Sequence, residues 1–183
     1  MPREEIIKKA LSFKYGGMSE GELSFLYDFC KDKDVLELGS MVGMSSYAIA
    51  SVAKSLHCVD VWDDNQNQKH LEHDKRQQKI YLSYSQDLPS TLKGFKENCK
   101  KFLDSGKIIM HRGTTEDRVS DFGGMDFNIV FIDADHLYFG ISNDYKLYNH
   151  LVRKDGYIIF HDYEDPMWTD TKNSAIKWLV RIR

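Results

Sequence analysis

Five short apolar runs, each followed by a stretch able to form a helix, constrain this chain more than any other feature. They are residues 35–39 (VLELG), 56–61 (LHCVDV), 107–111 (KIIMH), 127–132 (FNIVFI) and 157–160 (YIIF). Helical spacing is expected over 44–53, and again from Pro89-Ser90 through Leu92, Phe95, Cys99, Phe102 and Leu103, with Gly106 as a stop. Leu147, Tyr148 and Leu151 mark a further helix, which ends in a turn at Asp155-Gly156. Ile176, Leu179 and Val180 mark a last helix over about 172–182. Short strands apolar on both faces, alternating with helices, predict an α/β fold around a parallel sheet. Pro2, Pro89 and Pro166 all fall outside element interiors. Two helices precede the first run. One lies over 4–12, and the other starts at Ser19, with Glu22 three positions on as a capping box. The 183 residues suit one domain, with helices over 1–31 and a core over 35–182. The polar stretch Asp63–Lys79 has no apolar period and reads as a loop, a lid or a solvated helix.

Charge and composition exclude several classes. The net charge of −3 points to neither nucleic acid nor an anionic membrane. No apolar run approaches the ~20 residues of a bilayer span, and the first residues have no signal-peptide pattern. Cys30, Cys58 and Cys99 are odd in number and match no zinc spacing, so they are expected to be reduced, buried thiols of a cytoplasmic protein. The lysines at 93, 96, 100 and 101, interrupted by Glu97, read as a solvated helix face. His57, His111 and His150 have no partner motif, and His70 and His73 fit a flexible surface better than a metal cluster.

Ligands of open parallel sheets bind beyond the carboxyl ends of the strands. The residues there are Gly39, Ser40 and Gly43 after the first run, Asp60 and Trp62 at the second, and Gly113 to Thr115 after the third. Asp133, Asp135 and His136 follow the fourth run, and His161, Asp162 and Tyr163 the fifth. Gly39 and Gly43 let backbone approach a ligand closely. Asp60, 21 residues after Gly39, stands where an acidic side chain receives ribose hydroxyls. Met41 and Val42 leave only G-x-x-x-G, so the dinucleotide pattern is incomplete. Glu37, two residues before Gly39, suits a positively charged ligand that lacks phosphate, and S-adenosylmethionine is such a molecule.

"LELGSMVGMSS" resembles the first motif of class I S-adenosylmethionine-dependent methyltransferases, and "VDVWDD" the second. "IDADHLYFGISND" and "LVRKDGYIIFHDY" are similar to segments of a small-molecule O-methyltransferase branch grouped with macrocin- and cephalosporin-type enzymes. The resemblance covers about residues 30–180. It implies a Rossmann-like, doubly wound, mostly parallel sheet of order 3-2-1-4-5, and a methyl transfer to a hydroxyl of a small acceptor. It implies that Glu37, Gly39, Ser40 and Gly43 line the methionine and ribose side, that Asp60 takes the ribose hydroxyls, and that Trp62 or Thr114 lies near the adenine. Asp133 stands at both the cofactor and the acceptor.

Asp133 and Asp162, at the tips of adjacent strands, can converge on one point. In the resembling metal-dependent families, carboxylates at these places hold a divalent ion, here Mg²⁺, that lowers an acceptor hydroxyl's pKa. His161 is a further candidate ligand or catalytic group, and His136 a candidate base or ligand. The alternative is metal-free, with His136 alone removing the proton. Position 136 departs from the Asp-x-x-Lys of related catechol-type enzymes. The family's usual two further strands, the last antiparallel, have no counterpart in this reading. That leaves the fifth strand as an uncovered edge and predicts a homodimer. Two other functions compete: a non-catalytic cofactor-binding subunit, and a nicotinamide-dependent oxidoreductase. The missing glycine and the lack of a Tyr-x-x-x-Lys pair weigh against the latter.

Overall fold

A computed structural model describes residues 1–62, 91–135, 138–161 and 178–181. Its element order begins with α1 (Arg3–Leu11), α2 (Glu20–Phe29), β1 (Asp34–Leu38), α3 (Met44–Val52) and β2 (Ser55–Asp60). Next come α4 (Thr91–Asn98), α5 (Lys100–Asp104), β3 (Ile108–Arg112), the short α6 (Thr115–Arg118) and a 3₁₀ turn over Val119–Phe122. The described chain closes with β4 (Phe127–Ile132), α7 (Tyr138–Tyr148), β5 (Val152–Phe160) and β6 (Trp178–Arg181).

Strands β1 to β5 are parallel in the order β3-β2-β1-β4-β5, as expected, with β6 added beyond β5. β1 lies between β2 and β4, so the chain switches direction there and a cleft opens beyond its carboxyl end. Along β1 the pleat sends Val35 and Glu37 to one face and Leu36 and Leu38 to the other, and all four are fully buried. The first face packs against α1, α2 and α3 through Ile6, Leu23, Leu26, Tyr47 and Ile49, and against Phe95 and Cys99. The second packs against Phe122, Phe127, Tyr148 and Leu151. A strand covered on both faces needs an unbroken apolar run, which is what the sequence supplies.

The capping box at the start of α2 is present: Ser19 accepts from the Glu22 amide, and the Glu22 side chain accepts from the Ser19 amide. The three cysteines are free and buried. Burial pushes the Cys30 thiol up to about 12 and raises Cys58 and Cys99 as well.

Two expectations are corrected. Residues 178–181 are not helical. They form β6, antiparallel to β5, with Ile159 opposite Leu179 and Phe160 opposite Trp178. Trp-Leu-Val has strand propensity, and pairing satisfies the β5 edge that a helix would leave open. The uncovered edge that motivated a homodimer is therefore closed. Asp155-Gly156 is not a turn before the fifth strand but a bulge within β5, with Asp155 at φ 64°. An added Cβ at Gly156 would come within 2.8 Å of Asn128 O, so only glycine lets β5 pass β4 there. The polar stretch 63–79 and Pro89-Ser90 lie outside the described residues.

Candidate active site

Hydrogen bonds continue the sheet one residue past its strands. Gly113 N–H donates to Asp60 O, Gly39 N–H to Val59 O, Asp133 N–H to Leu38 O and His161 N–H to Ile132 O, at 2.8–3.0 Å. Gly113, Asp60, Gly39, Asp133 and His161 are thus lined up along the carboxyl edge.

Gly39 and Gly43 have distinct reasons to be glycine. Both have positive φ, 86° and 87°. A Cβ on Gly39 would overlap the Asp133 carbonyl, so Gly39 lets the β1 tip press against β4. A Cβ on Gly43 would lie 2.6 Å from Cys99 Sγ, so Gly43 makes room for the helix at the start of α3 to pack on the α4–α5 region.

Asp60 anchors the loop between these glycines. Its Oδ2 accepts the amides of Ser40 and Met41, both at 2.8 Å, and its Oδ1 accepts the Trp62 amide at 2.7 Å. Three of roughly four acceptor sites of a carboxylate are thereby occupied by backbone. Burial raises the Asp60 pKa against these amides, and repulsion from Asp133 adds to the rise. Trp62 closes the same loop through its indole N–H to Met41 O, 2.9 Å. Its ring is buried against Phe95, with centroids 4.7 Å apart. Thr114 caps α6 by accepting the Asp117 amide at 3.1 Å.

Glu37 is completely buried beneath the loop. Its Oε2 accepts from the Ser40 hydroxyl at 2.7 Å, from the Ser46 hydroxyl, and from the Cys58 thiol at 3.4 Å, and Ser45 is a further donor to the carboxylate. Burial raises its pKa despite these donors. Glu37 therefore organises Ser40 and the first turn of α3 from below.

At the β4–β5 side, His161 Nδ1 lies 2.9 Å from Asp133 Oδ1, and His161 Nε2 lies 3.3 Å from Glu22 Oε1. Glu22 was legible in the sequence only as a helix cap. Burial alone would raise its pKa, but contacts with His161 and Ser19 outweigh that and hold it below the usual carboxylate range. His136 and Asp162 lie outside the described residues. Of the expected Mg²⁺ set, Asp133 and His161 lie side by side, and Asp162 lies outside the described residues. Among the described residues no group of three His, Cys, Asp or Glu side chains could hold an ion.

The structure also brings together groups that no sequence motif joins. Thr115 donates to Asp144 at 2.6 Å, and burial lifts the Asp144 pKa to about 6. His57 and His111 stack with ring centroids 5.2 Å apart and nitrogens at 2.9 Å, and His111 also faces Asp121. The β2–β3 register creates this pair. Tyr138 and Phe139, just beyond the β4 tip, are 88% and 81% exposed.

A family model described as a methyltransferase domain matches residues 36–163, which include every tip from Gly39 to His161. This chain belongs to that methyltransferase family. Uncharacterized protein R132 of Acanthamoeba polyphaga mimivirus is 34% identical over 90 residues, 46% of this chain and 41% of that protein. The chain thus spans less than half the length of that curated relative. Among solved structures, the fold is similar to the O-methyltransferase TomG of Streptomyces achromogenes in complex with SAM (TM-score 0.58, 15% identity, 87% of this chain and 64% of that one). It is also similar to an O-methyltransferase of Bacillus cereus in complex with SAH (TM-score 0.60, 14% identity, 91% and 73%). No described helix of this methyltransferase-family chain is long and apolar enough to cross a membrane.

Proposed function

We propose that this chain binds S-adenosylmethionine at the carboxyl edge of β1, β2 and β4 and transfers its methyl group to a hydroxyl of a small acceptor. One observation carries the reading. Glu37, Asp60 and Asp133 surround a glycine turn, and the described donors to Glu37 and Asp60 are amides, hydroxyls and a thiol rather than cations. Asp60 and Asp133 repel each other across that turn, and a ligand bearing a sulfonium and an ammonium group relieves the repulsion. The neighbours bound to SAM and SAH support the same ligand.

When bound, the cofactor supplies an electrophilic methyl group. The chain's own residues do the rest. Asp60 fixes the loop through Ser40 and Met41, and its remaining acceptor site is available to a ribose hydroxyl. Gly39, Ser40 and Gly43 set the backbone that the methionine part meets, while Trp62 and Thr114 shape the adenine end by holding their loops. Asp133, whose Oδ1 faces His161, offers Oδ2 to the acceptor and takes its proton. His136 is the neighbouring candidate base. Asp133 and Asp162 as a magnesium pair, with His161 as a further ligand, are a second form of this reading, supported by their places in the sequence just after two adjacent strands. The buried free thiols support a reducing, cytoplasmic setting.

Calorimetry with S-adenosylhomocysteine tests the proposal. Wild type binds, and Asp60→Ala loses about 1.5–3 kcal/mol or more, the worth of hydrogen bonds to a charged acceptor. Unchanged affinity in Asp60→Ala would place the ribose elsewhere. Repeating binding and turnover after chelator treatment tests the ion, and full turnover without metal removes it.

A further inference from the structure

The methyltransferase reading above leaves one close arrangement unused. Glu22 divides its carboxylate between two tasks. Oε2 accepts the Ser19 amide at 2.7 Å and the Ser19 hydroxyl at 2.8 Å, which caps α2. Oε1 points the other way, to His161 Nε2 at 3.3 Å. On the far side of the same ring, Nδ1 meets Asp133 Oδ1 at 2.9 Å. The His161 side chain is 6% exposed, and its main chain is pinned by the bond from His161 N–H to Ile132 O.

An imidazole turns about its Cβ–Cγ bond, and a carboxylate at one nitrogen restrains that rotation from one side. Carboxylates at both nitrogens, from two different elements, restrain it from both sides. A ring so fixed holds the carboxylate beside it in turn. Asp133 takes the acceptor's proton in the methyltransferase reading, and a carboxylate rotated away from that proton loses the benefit of alignment. α2 is a stable place to work from: Leu23 and Leu26 are fully buried against the sheet.

We propose that Glu22 is a positioning residue for methyl transfer. It holds His161 against Asp133, sets the direction of the Asp133 carboxylate, and makes the N-terminal helix α2 part of the active site. The proposal rests on the methyltransferase reading for its chemistry, but its geometry can be tested apart from it.

The test compares three variants of the full chain with wild type. Glu22→Gln keeps an oxygen to cap Ser19 and turns an amide N–H₂ towards His161. Glu22→Asp keeps the charge and withdraws it by one methylene. Ser19→Ala weakens the cap and leaves Oε1 in place. The decisive readout is NMR of the His161 ring nitrogens and the Asp133 carboxyl carbon in the ligand-free protein. Both Glu22 variants are expected to move both signals, and Ser19→Ala to move neither. In turnover with S-adenosylmethionine and a panel of catechols, phenols and sugars, Glu22→Gln is expected to lose about tenfold or more in kcat, with KM for S-adenosylmethionine unchanged. Calorimetry with S-adenosylhomocysteine should show affinities within about twofold of wild type. Unmoved signals in the Glu22 variants overturn the proposal, as does an equal displacement in Ser19→Ala or a change confined to KM. Failure of wild type to bind S-adenosylhomocysteine would instead overturn the methyltransferase reading, while the NMR signals still decide the role of Glu22.

Discussion

Asp144 is a carboxylate held where a carboxylate is costly. It is 3% exposed, accepts from Thr115, and sits near Asp135 and Glu116, whose charges add to the effect of burial in lifting its pKa to about 6. An ordinary Asp titrates near 3.9. Between those values the folded chain holds a proton that the unfolded chain has lost, so stability falls as pH rises through that window. Above pH 6 the cost is complete. Asp144→Asn keeps an oxygen for Thr115 and removes the charge. It is expected to raise stability at pH 8 by roughly 1–3 kcal/mol, since each pKa unit is worth 1.36 kcal/mol, and to have little effect near pH 3.5. Urea unfolding at the two pH values checks this. His57 has the opposite sign. Burial and then His111 depress its pKa, so its contribution is present above about pH 6.5 and fades as pH falls below that.

At the scale of elements, the glycine turn and the helix it opens depend on each other. Gly43→Ala adds a left-handed strain of about 1–2 kcal/mol and a contact of 2.6 Å with Cys99 Sγ. In Gly43→Ala/Cys99→Ala the sulfur is gone and only the backbone strain and the nearby Phe95 ring remain. The double variant is therefore expected to be more stable than the sum of the two single losses predicts, which a double-mutant cycle by urea unfolding reads directly. The same scale shows what was legible in the sequence. The capping box at Ser19, the helix after Gly43 and all five parallel strands could be read locally, because each is specified by period or by a cap within a few residues. Short α6 and the 3₁₀ turn after it have too few residues to show a period. The run near Leu179 carried three apolar residues at helical spacing, and only the open edge of β5 decides that its end is a strand. For the site, the strand tips were legible because topology places them. What Asp60 and Glu22 hold was not: Ser40, Met41 and His161 reach them through register and packing across the sheet.

For the whole molecule, β6 turns an exposed parallel edge into a paired one. Its backbone groups meet those of Tyr157 to Phe160, and Arg181 pairs with Asp155 at 2.8 Å. A chain ending at residue 177 would present β5 as a free, apolar edge, with Ile158 and Ile159 in it. That variant is expected to self-associate at micromolar concentration, whereas light scattering on the full chain should show smaller species. Equal sizes for both would mean that β6 does not protect the sheet.

The place of β1 between β2 and β4 also has a consequence during synthesis. Its first neighbour is made soon after it, but the second, Phe127–Ile132, leaves the ribosome only after another seventy or so residues. At about 5–20 residues per second the nascent chain carries the inner strand of its sheet half-paired for roughly 4–14 s. During that interval Leu36 and Leu38 lack β4 and the aromatic layer of Phe122, Phe127 and Tyr148. One of the two central strands of the finished sheet is thus among the last to be enclosed, and a chaperone able to shield apolar backbone would find its target there.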